Sequence, residues 1–255
     1  MTGLTEVGPA AVLIVLAAFL LGGIIKGLAG IGLPMVALPV LSLGFTVPQA
    51  VALTLVPILV SNGWQALTSG ALVPVIRRFW PMQVTLAVAI ALAASLMVRL
   101  DNSVLLMSAG AVLVASIVVL MLSGGRTLPA RLERPVGIVV ALVAGLIGGV
   151  SSLFGIPIII YMSSLGLTRA EFMTAISIVY FFAGLPYLIG LLAFGAVTPV
   201  QLIGSALAVI PAMIGLTVAT RMMRQVEDRR FRQILNWILI MLGVSMILRG
   251  MMDAG

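Results

Sequence analysis

Apolar runs close in length to a bilayer crossing follow one another along the whole chain, from Ala10 to Leu248, with only short polar loops between them. A spanning helix needs about 20 mostly apolar residues, and inside lipid only helices or closed barrels satisfy every backbone polar group. The chain is 62% hydrophobic and 8% charged, which sets it apart from soluble domains. No polar stretch is long enough to form a separate soluble domain. The first run has no basic residue before it and continues into a glycine-rich stretch, so it reads as a retained helix rather than a cleaved signal.

Apolar runs and breakers together predict ten segments, at 9–27, 32–46, 49–69, 81–98, 103–123, 136–149, 154–167, 171–193, 199–221 and 231–250. Three of them, 32–46, 136–149 and 154–167, are short. At 1.5 Å per residue such segments reach only about 20 Å, less than the hydrocarbon core of about 30 Å. They are expected as half-helices, or as arms of hairpins that turn back inside the membrane.

The chain also repeats itself. Ser42-Leu43-Gly44-Phe45-Thr46 recurs as Ser164-Leu165-Gly166-Leu167-Thr168, and Gly70-Ala71-Leu72-Val73-Pro74-Val75 recurs as Gly195-Ala196-Val197-Thr198-Pro199-Val200. A Gly-x-x-x-Gly at Gly23 and Gly27 is matched by Gly145 and Gly149, and a Gly-x-Pro at Gly32 and Pro34 by Gly155 and Pro157. All four pairs occur in order at nearly one offset, which divides the chain into a first repeat, 1–126, and a second, 127–255.

Charge orients the two halves. Five segments per half invert the second half relative to the first, so equivalent loops should differ in basic charge, and they do. Arg77 and Arg78 follow the third segment, while the equivalent loop around Thr198 has no basic residue. The loop after the fourth segment has Arg99 beside Asp101, but its partner carries Arg221, Arg224, Arg229, Arg230 and Arg232. One face collects these arginines with Arg126, Arg131, Arg134 and Arg169; the other keeps Arg99 and Arg249. Eight crossings, with each short pair read as one broken helix, would split the basic residues almost evenly. The ten-segment reading puts both termini outside the cytoplasm. The fold class expected is therefore an all-α integral membrane protein of two inverted repeats, each of five transmembrane or half-membrane segments. Its broken helices or re-entrant hairpins would meet near the midplane, as in secondary transporters.

The same placement of charge argues against nucleic acid, despite a net charge of +7, because the arginines sit in short loops between apolar runs. The expected partners are a small anionic substrate and the lipid bilayer. The chain has no cysteine and no histidine, which removes disulfides, thiol chemistry, Cys-ligated metals and the commonest proton shuttle. Without histidine or acids inside the apolar segments there is no Ser–His or paired-carboxylate machinery, so an enzyme is not expected, and no cofactor is called for.

The first break, Gly22 to Pro34, contains Lys26, the only lysine of the chain. At the tip of a hairpin Lys26 would lie deep in the protein, where no acidic residue of the apolar segments neutralises it and a bound anion would. On a fully crossing helix it would snorkel to the interface instead. Glycine-rich breaks also expose backbone N–H groups, and a helix starting at one aims its positive end inward. Gly27, Gly30, Gly32 and Pro34 are therefore candidates beside Lys26. The second break, Gly145 to Pro157, adds the hydroxyls of Ser151 and Ser152, with Gly155 and Pro157. Neutral donors of this kind suit a dehydrated oxyanion. For Gly23, Gly27, Gly145 and Gly149, close approach of two helices explains the small residue better than ligand contact. Asn62, Trp64 and Gln65 in the third segment, Tyr161 in the seventh, and Tyr180 and Tyr187 in the eighth are polar groups within apolar runs. They read as pathway-lining groups or as interhelical glue. Asn62, Gln65, Tyr161 and Tyr180 complete the candidate substrate site. Glu171 reads as a favourable first-turn acid of the eighth segment, with proton coupling as a weaker alternative.

At these residues the chain resembles the TauE/SafE sulfite exporter family. The resemblance rests on Gly27-Leu28-Ala29-Gly30-Ile31-Gly32 followed by Pro34, on Gly155-Ile156-Pro157, and on Leu165-Gly166-Leu167 with Glu171-Phe172. It covers nearly the full length in two halves. It implies a secondary transporter, an exporter of sulfite, a sulfonate or another small organic anion across the bacterial cytoplasmic membrane by alternating access. By motif position it implies a substrate region at Lys26 to Pro34 and Ser151 to Pro157. Ser151-Ser152-Leu153-Phe154 stands where the resemblance leads one to expect more glycine. A carrier of a carboxylate, or an anion channel, remains an alternative reading of the same fold.

Overall fold

The computed structural model describes residues 8–29, 33–97, 99–122, 127–195, 197–222 and 229–254. Regular structure among them is entirely helical. The helices are α1 (Pro9–Ala29), α2 (Pro34–Leu41), α3 (Val47–Thr68), α4 (Leu72–Met97), α5 (Asn102–Leu122), α6 (Ala130–Ser151), α7 (Gly155–Ser163), α8 (Arg169–Ala193), α9 (Pro199–Met222) and α10 (Arg229–Ala254). Eight of them, all except α2 and α7, are long and apolar enough to cross a membrane.

The expected order of ten segments is therefore present, with one correction. The sixth, expected over 136–149 as a half-helix, is a helix of 22 residues. An apolar run begins only after its last charge, but a helix does not have to. Arg131, Glu133 and Arg134 occupy its first turns, and Pro135 lies within it. The start of α4 is extended in the same way, through Arg77, Arg78 and Pro81. Charged turns at the headgroup level stay solvated, so the helix continues past the apolar limit. Only α2 and α7, with 8 and 9 residues, are short.

The repeated sequences adopt repeated local structures. Thr46 caps α3 and Thr168 caps α8, each in a reciprocal capping box with the residue three positions on, Gln49 and Glu171. Gly70 and Gly195 both take left-handed φ values, 76° and 64°, which glycine adopts without steric penalty. Glu171 is engaged in its capping box, bonded to Thr168 N at 2.9 Å and Thr168 Oγ1 at 2.8 Å.

Glycines set the main helix pairs. A Cβ at Gly23 would fall on the Ala212 carbonyl, and one at Gly27 on Ala219 and Leu216. Positions rise together, so α1 and α9 run in the same direction. Gly145 faces Leu86 and Ala89, and Gly149 faces Ala93, so α6 and α4 do likewise. Along α5 and α10 the pairing is reversed, with Gly110 against Ile247 and Gly250 against Ser103. Removing Cβ atoms lets backbones approach, which drives association where lipid removes the usual hydrophobic term. These contacts bear out the packing reading of Gly23, Gly27, Gly145 and Gly149.

Two sets of contacts define the opposite ends of the bundle. At one end, Val47 N donates to Asn102 Oδ1 at 2.8 Å, Arg249 Nη1 donates to the Ser42 carbonyl, and Gly44 meets Ile14. The starts of α1, α3 and α5 and the end of α10 are thereby gathered together. At the other, Arg78 pairs with Glu133, and Leu128 N donates to Ser164 O at 2.8 Å. This end joins the starts of α4 and α6 to the turn after α7.

Candidate functional site

α3 and α8 cross antiparallel, with Gly184 against Leu59, Gly63 against Phe181, and Ser177 Oγ donating to Gln65 Oε1 at 2.9 Å. Each helix carries a row of polar or small residues, and Gln65 and Ser177 of the two rows meet at this crossing. On α3 the row is Ser61, Asn62 and Gln65; on α8 it is Ser177 and Tyr180, continued by Gly184 and Tyr187 at helical spacing. Ser61, Asn62, Ser177, Tyr180 and Tyr187 are all buried.

Lys26 enters from α1. It is 2% exposed, and its ammonium donates to Asn62 Oδ1. Asn62 Nδ2 donates in turn to Ile58 O at 2.8 Å, which fixes the amide with its oxygen toward the lysine. The partner of this cation is thus a neutral amide. The described acids, Asp101, Glu133, Glu171 and Asp253, lie in a loop or in terminal turns of helices. Lys26 is therefore buried rather than snorkelled, although α1 is a full-length helix and not the arm of a short hairpin.

From the other half, Gly155 opens α7 directly beneath Tyr180, whose hydroxyl and ring occupy the space a Cβ would need. The Tyr180 ring packs on Phe154 with centroids 4.8 Å apart. Its hydroxyl finds no hydrogen-bond partner among the described residues, and neither does the buried Ser61 Oγ. A buried hydroxyl without a partner is destabilising by about 1–3 kcal/mol, so each of them asks for a ligand or water.

Gly30 and Gly32 lie outside the described residues. Gly27 serves the α1–α9 contact. Pro34 is the buried first residue of α2, where its missing N–H leaves nothing unsatisfied. Ser151 Oγ is turned back on its own helix, donating to Ile147 O at 2.9 Å and accepting from Leu153 N at 3.2 Å. Ser152 is the left-handed C-cap of α6, φ 61°, and its N–H donates to Gly148 O at 2.7 Å. Pro157 is half-buried in the first turn of α7. Tyr161 is not brought to Lys26 and Asn62; its hydroxyl donates to Glu133 O at 2.9 Å, against Gly137. Trp64 is 59% exposed and faces away from the crossing.

Three groups went unnoticed in the sequence. Ser61 and Ser177 are single hydroxyls in apolar runs, and only their helical spacing from Asn62, Gln65 and Tyr180 distinguishes them. Ser205 serves the backbone. Pro57 has no N–H, which leaves Leu53 O without its helical partner; Ser205 Oγ donates to that carbonyl at 2.8 Å and accepts from Val56 N at 3.0 Å. Tyr187, noted as a pathway or glue residue, takes a related role at the end of α6, with its hydroxyl 2.6 Å from Gly149 O and 2.9 Å from Gly148 O.

The description "Sulfite exporter TauE/SafE" belongs to a family model that matches residues 14–246. No curated protein and no solved structure matches the chain. The match spans most of the sequence, and the chain belongs to the TauE/SafE family.

Proposed function

We propose, on the premise of that membership, that this multi-pass membrane protein is a secondary transporter of a small sulfur-containing anion. Sulfite or an organosulfonate exported across a bacterial cytoplasmic membrane fits best. The observation that carries the reading is Lys26: a buried cation, the only lysine of the chain, held by a neutral amide at the crossing of two polar rows. A cation without a countercharge in low dielectric favours an anion beside it far more than the same cation in water would. Tyr180 on α8 and Ser61 on α3 offer buried hydroxyls without a partner among the described residues. Neutral hydroxyl donors suit an oxyanion that must leave again, because they do not hold it as a second charge would.

The helix pairing supports two inverted repeats, 1–126 and 127–255. Shifting each helix of the first half by five exchanges the α1–α9 pair with α6–α4, and the α3–α9 pair with α8–α4. The α3–α8 and α5–α10 pairs map onto themselves. A two-fold axis in the membrane plane has this effect. Lys26 and the Gly148–Gly149 pair occupy corresponding places in the two halves. The Lys26–Asn62 contact in one half and the Tyr187–α6 contact in the other are the pair of contacts that alternating access would open in turn. Binding of sulfite, sulfonates and carboxylates to the purified protein tests the reading. Saturable binding of sulfite or a sulfonate, with carboxylates at least tenfold weaker, is the expected result; preference for carboxylates would overturn the sulfur assignment.

A further inference from the structure

A second site of different chemistry lies at the basic end of the bundle. Between the second and third turns of α4 and the first two turns of α6 a cleft of about 230 Å³ is lined by Arg78, Phe79, Glu133, Arg134, Gly137 and Tyr161, among others. Its floor is fixed. The Tyr161 hydroxyl is anchored on the Glu133 carbonyl, and it lies against Gly137, where any side chain would displace it.

Charge in the cleft is unbalanced. Arg78 and Glu133 neutralise one another through a forked pair, Nε to Oε1 at 2.6 Å and Nη2 to Oε2 at 2.8 Å. Arg134 has no carboxylate partner among the described residues; its guanidinium lies over the Trp80 ring, 5.9 Å from the centroid. Arg77 and Arg131 are exposed on the same two turns. The lining therefore holds two arginines and one acid, and the Glu171 carboxylate acts on Arg78 rather than on Arg134. The Trp80 side chain is 52% exposed, an indole at the depth where aromatic rings mark the headgroup region.

Beyond the cleft the two helices carry an outward apolar surface: Val84 and Val88 on α4, Val139, Leu142 and Val143 on α6, all exposed. A free anion would use only the arginine. A phospholipid has a phosphate for the arginine and an acyl chain for the apolar track. We infer that this cleft binds the headgroup of an anionic phospholipid of the leaflet on the basic side, with Arg134 as the phosphate contact and Trp80 beside the glycerol region. Basic pockets between helices on this side of a membrane are suited to such headgroups. The opposite end provides no equivalent, since the first turns of α1 and α9 contain no arginine.

The test uses the full chain with Trp64→Phe and Trp237→Phe, which leaves Trp80 as the only tryptophan. It is reconstituted in phosphatidylcholine vesicles with increasing phosphatidylglycerol, either lipid carrying brominated acyl chains. Brominated phosphatidylglycerol should quench Trp80 at a mole fraction about five-fold lower than brominated phosphatidylcholine. Arg134→Gln should bring the two lipids close to equality, while Arg131→Gln should leave the preference largely intact. Equal quenching by the two lipids in the Arg134 protein would overturn the inference, as would a preference that survives Arg134→Gln. Loss of the preference in millimolar inorganic phosphate at constant ionic strength would assign the cleft to a soluble anion instead. The readout is independent of transport, so it stands or fails separately from the proposed function.

Discussion

The ammonium of Lys26 on α1 and the side-chain oxygen of Asn62 on α3 are bonded to one another inside the bundle, with no carboxylate among the described residues to share the charge. The contact joins residues 36 positions apart and closes the gap between the broken first pair of helices and the α3–α8 crossing.

Lys26→Gln keeps the donor to Asn62 and removes the charge. The variant should fold, with a melting temperature equal to or above that of the parent, since an uncompensated buried cation is lost. Anion binding should weaken by about ten- to a hundredfold, the range for losing a hydrogen bond to a charged group. Lys26→Arg should retain part of the binding, limited by the planar guanidinium. Isothermal titration with sulfite reads both, and near-parental affinity in well-folded Lys26→Gln would remove Lys26 from the site.

Tyr180→Phe deletes a hydroxyl that no described residue satisfies while leaving the ring on Phe154 and Gly155. Thermal stability should hold or rise, by up to about 1–3 kcal/mol if the hydroxyl is unpaired in the resting protein. Sulfite affinity should fall at the same time. A fall in stability with unchanged affinity would make the hydroxyl structural.

The ten segments were legible because apolar length and breakers report directly on bilayer crossings. The ends of α4 and α6 were not, since their first turns run through Arg77 and Arg78 in one case and Arg131 to Pro135 in the other. The repeat was visible in Thr46 and Thr168, Gly70 and Gly195, whose identities are dictated by local geometry. Of the candidate site, what the sequence singled out where chemistry was scarce was a single lysine, and Asn62 and Tyr180 in apolar runs; the structure buries all three and bonds the first two. The sequence was not legible where one residue type serves several purposes. Ser151 bonds to its own helix, Ser205 repairs the backbone and Ser61 is unpaired, and nothing in the sequence around a serine separates these roles.

Ser205→Ala tests the repair at Pro57. It leaves Leu53 O and Val56 N without the bonds that Ser205 supplies. Two backbone groups in a buried position should then lower stability by about 1–3 kcal/mol. Replacing Pro57 by Ala in the same protein should restore part of the loss, because an N–H at 57 can again bond to Leu53 O. Thermal unfolding in detergent of the single and double variants measures the coupling, and strict additivity would show that Ser205 acts elsewhere.

The orientation of the chain can be settled by chemical labelling. The Arg249–Ser42 and Gly44–Ile14 contacts place the end of α10 beside the start of α1, and Arg78–Glu133 places the α5–α6 linker at the opposite end. The linker end carries Arg77, Arg78, Arg131, Arg134, Arg169 and Arg221, whereas the other carries Arg99 and Arg249. Basic residues are retained on the cytoplasmic side, so the linker end is expected there and both termini outside. The chain has no cysteine, which makes single introduced thiols unambiguous. Cysteine at Gly3 or Ala254 should react with an impermeant maleimide in intact spheroplasts. Cysteine at Thr127, which is exposed at the start of the second half, should react only after lysis. The reverse pattern would invert the protein in the membrane and place the arginine-lined cleft at the outer face. Labelling of Gly3→Cys and Ala254→Cys from opposite sides would instead exclude an even number of passages, and with it the two inverted repeats.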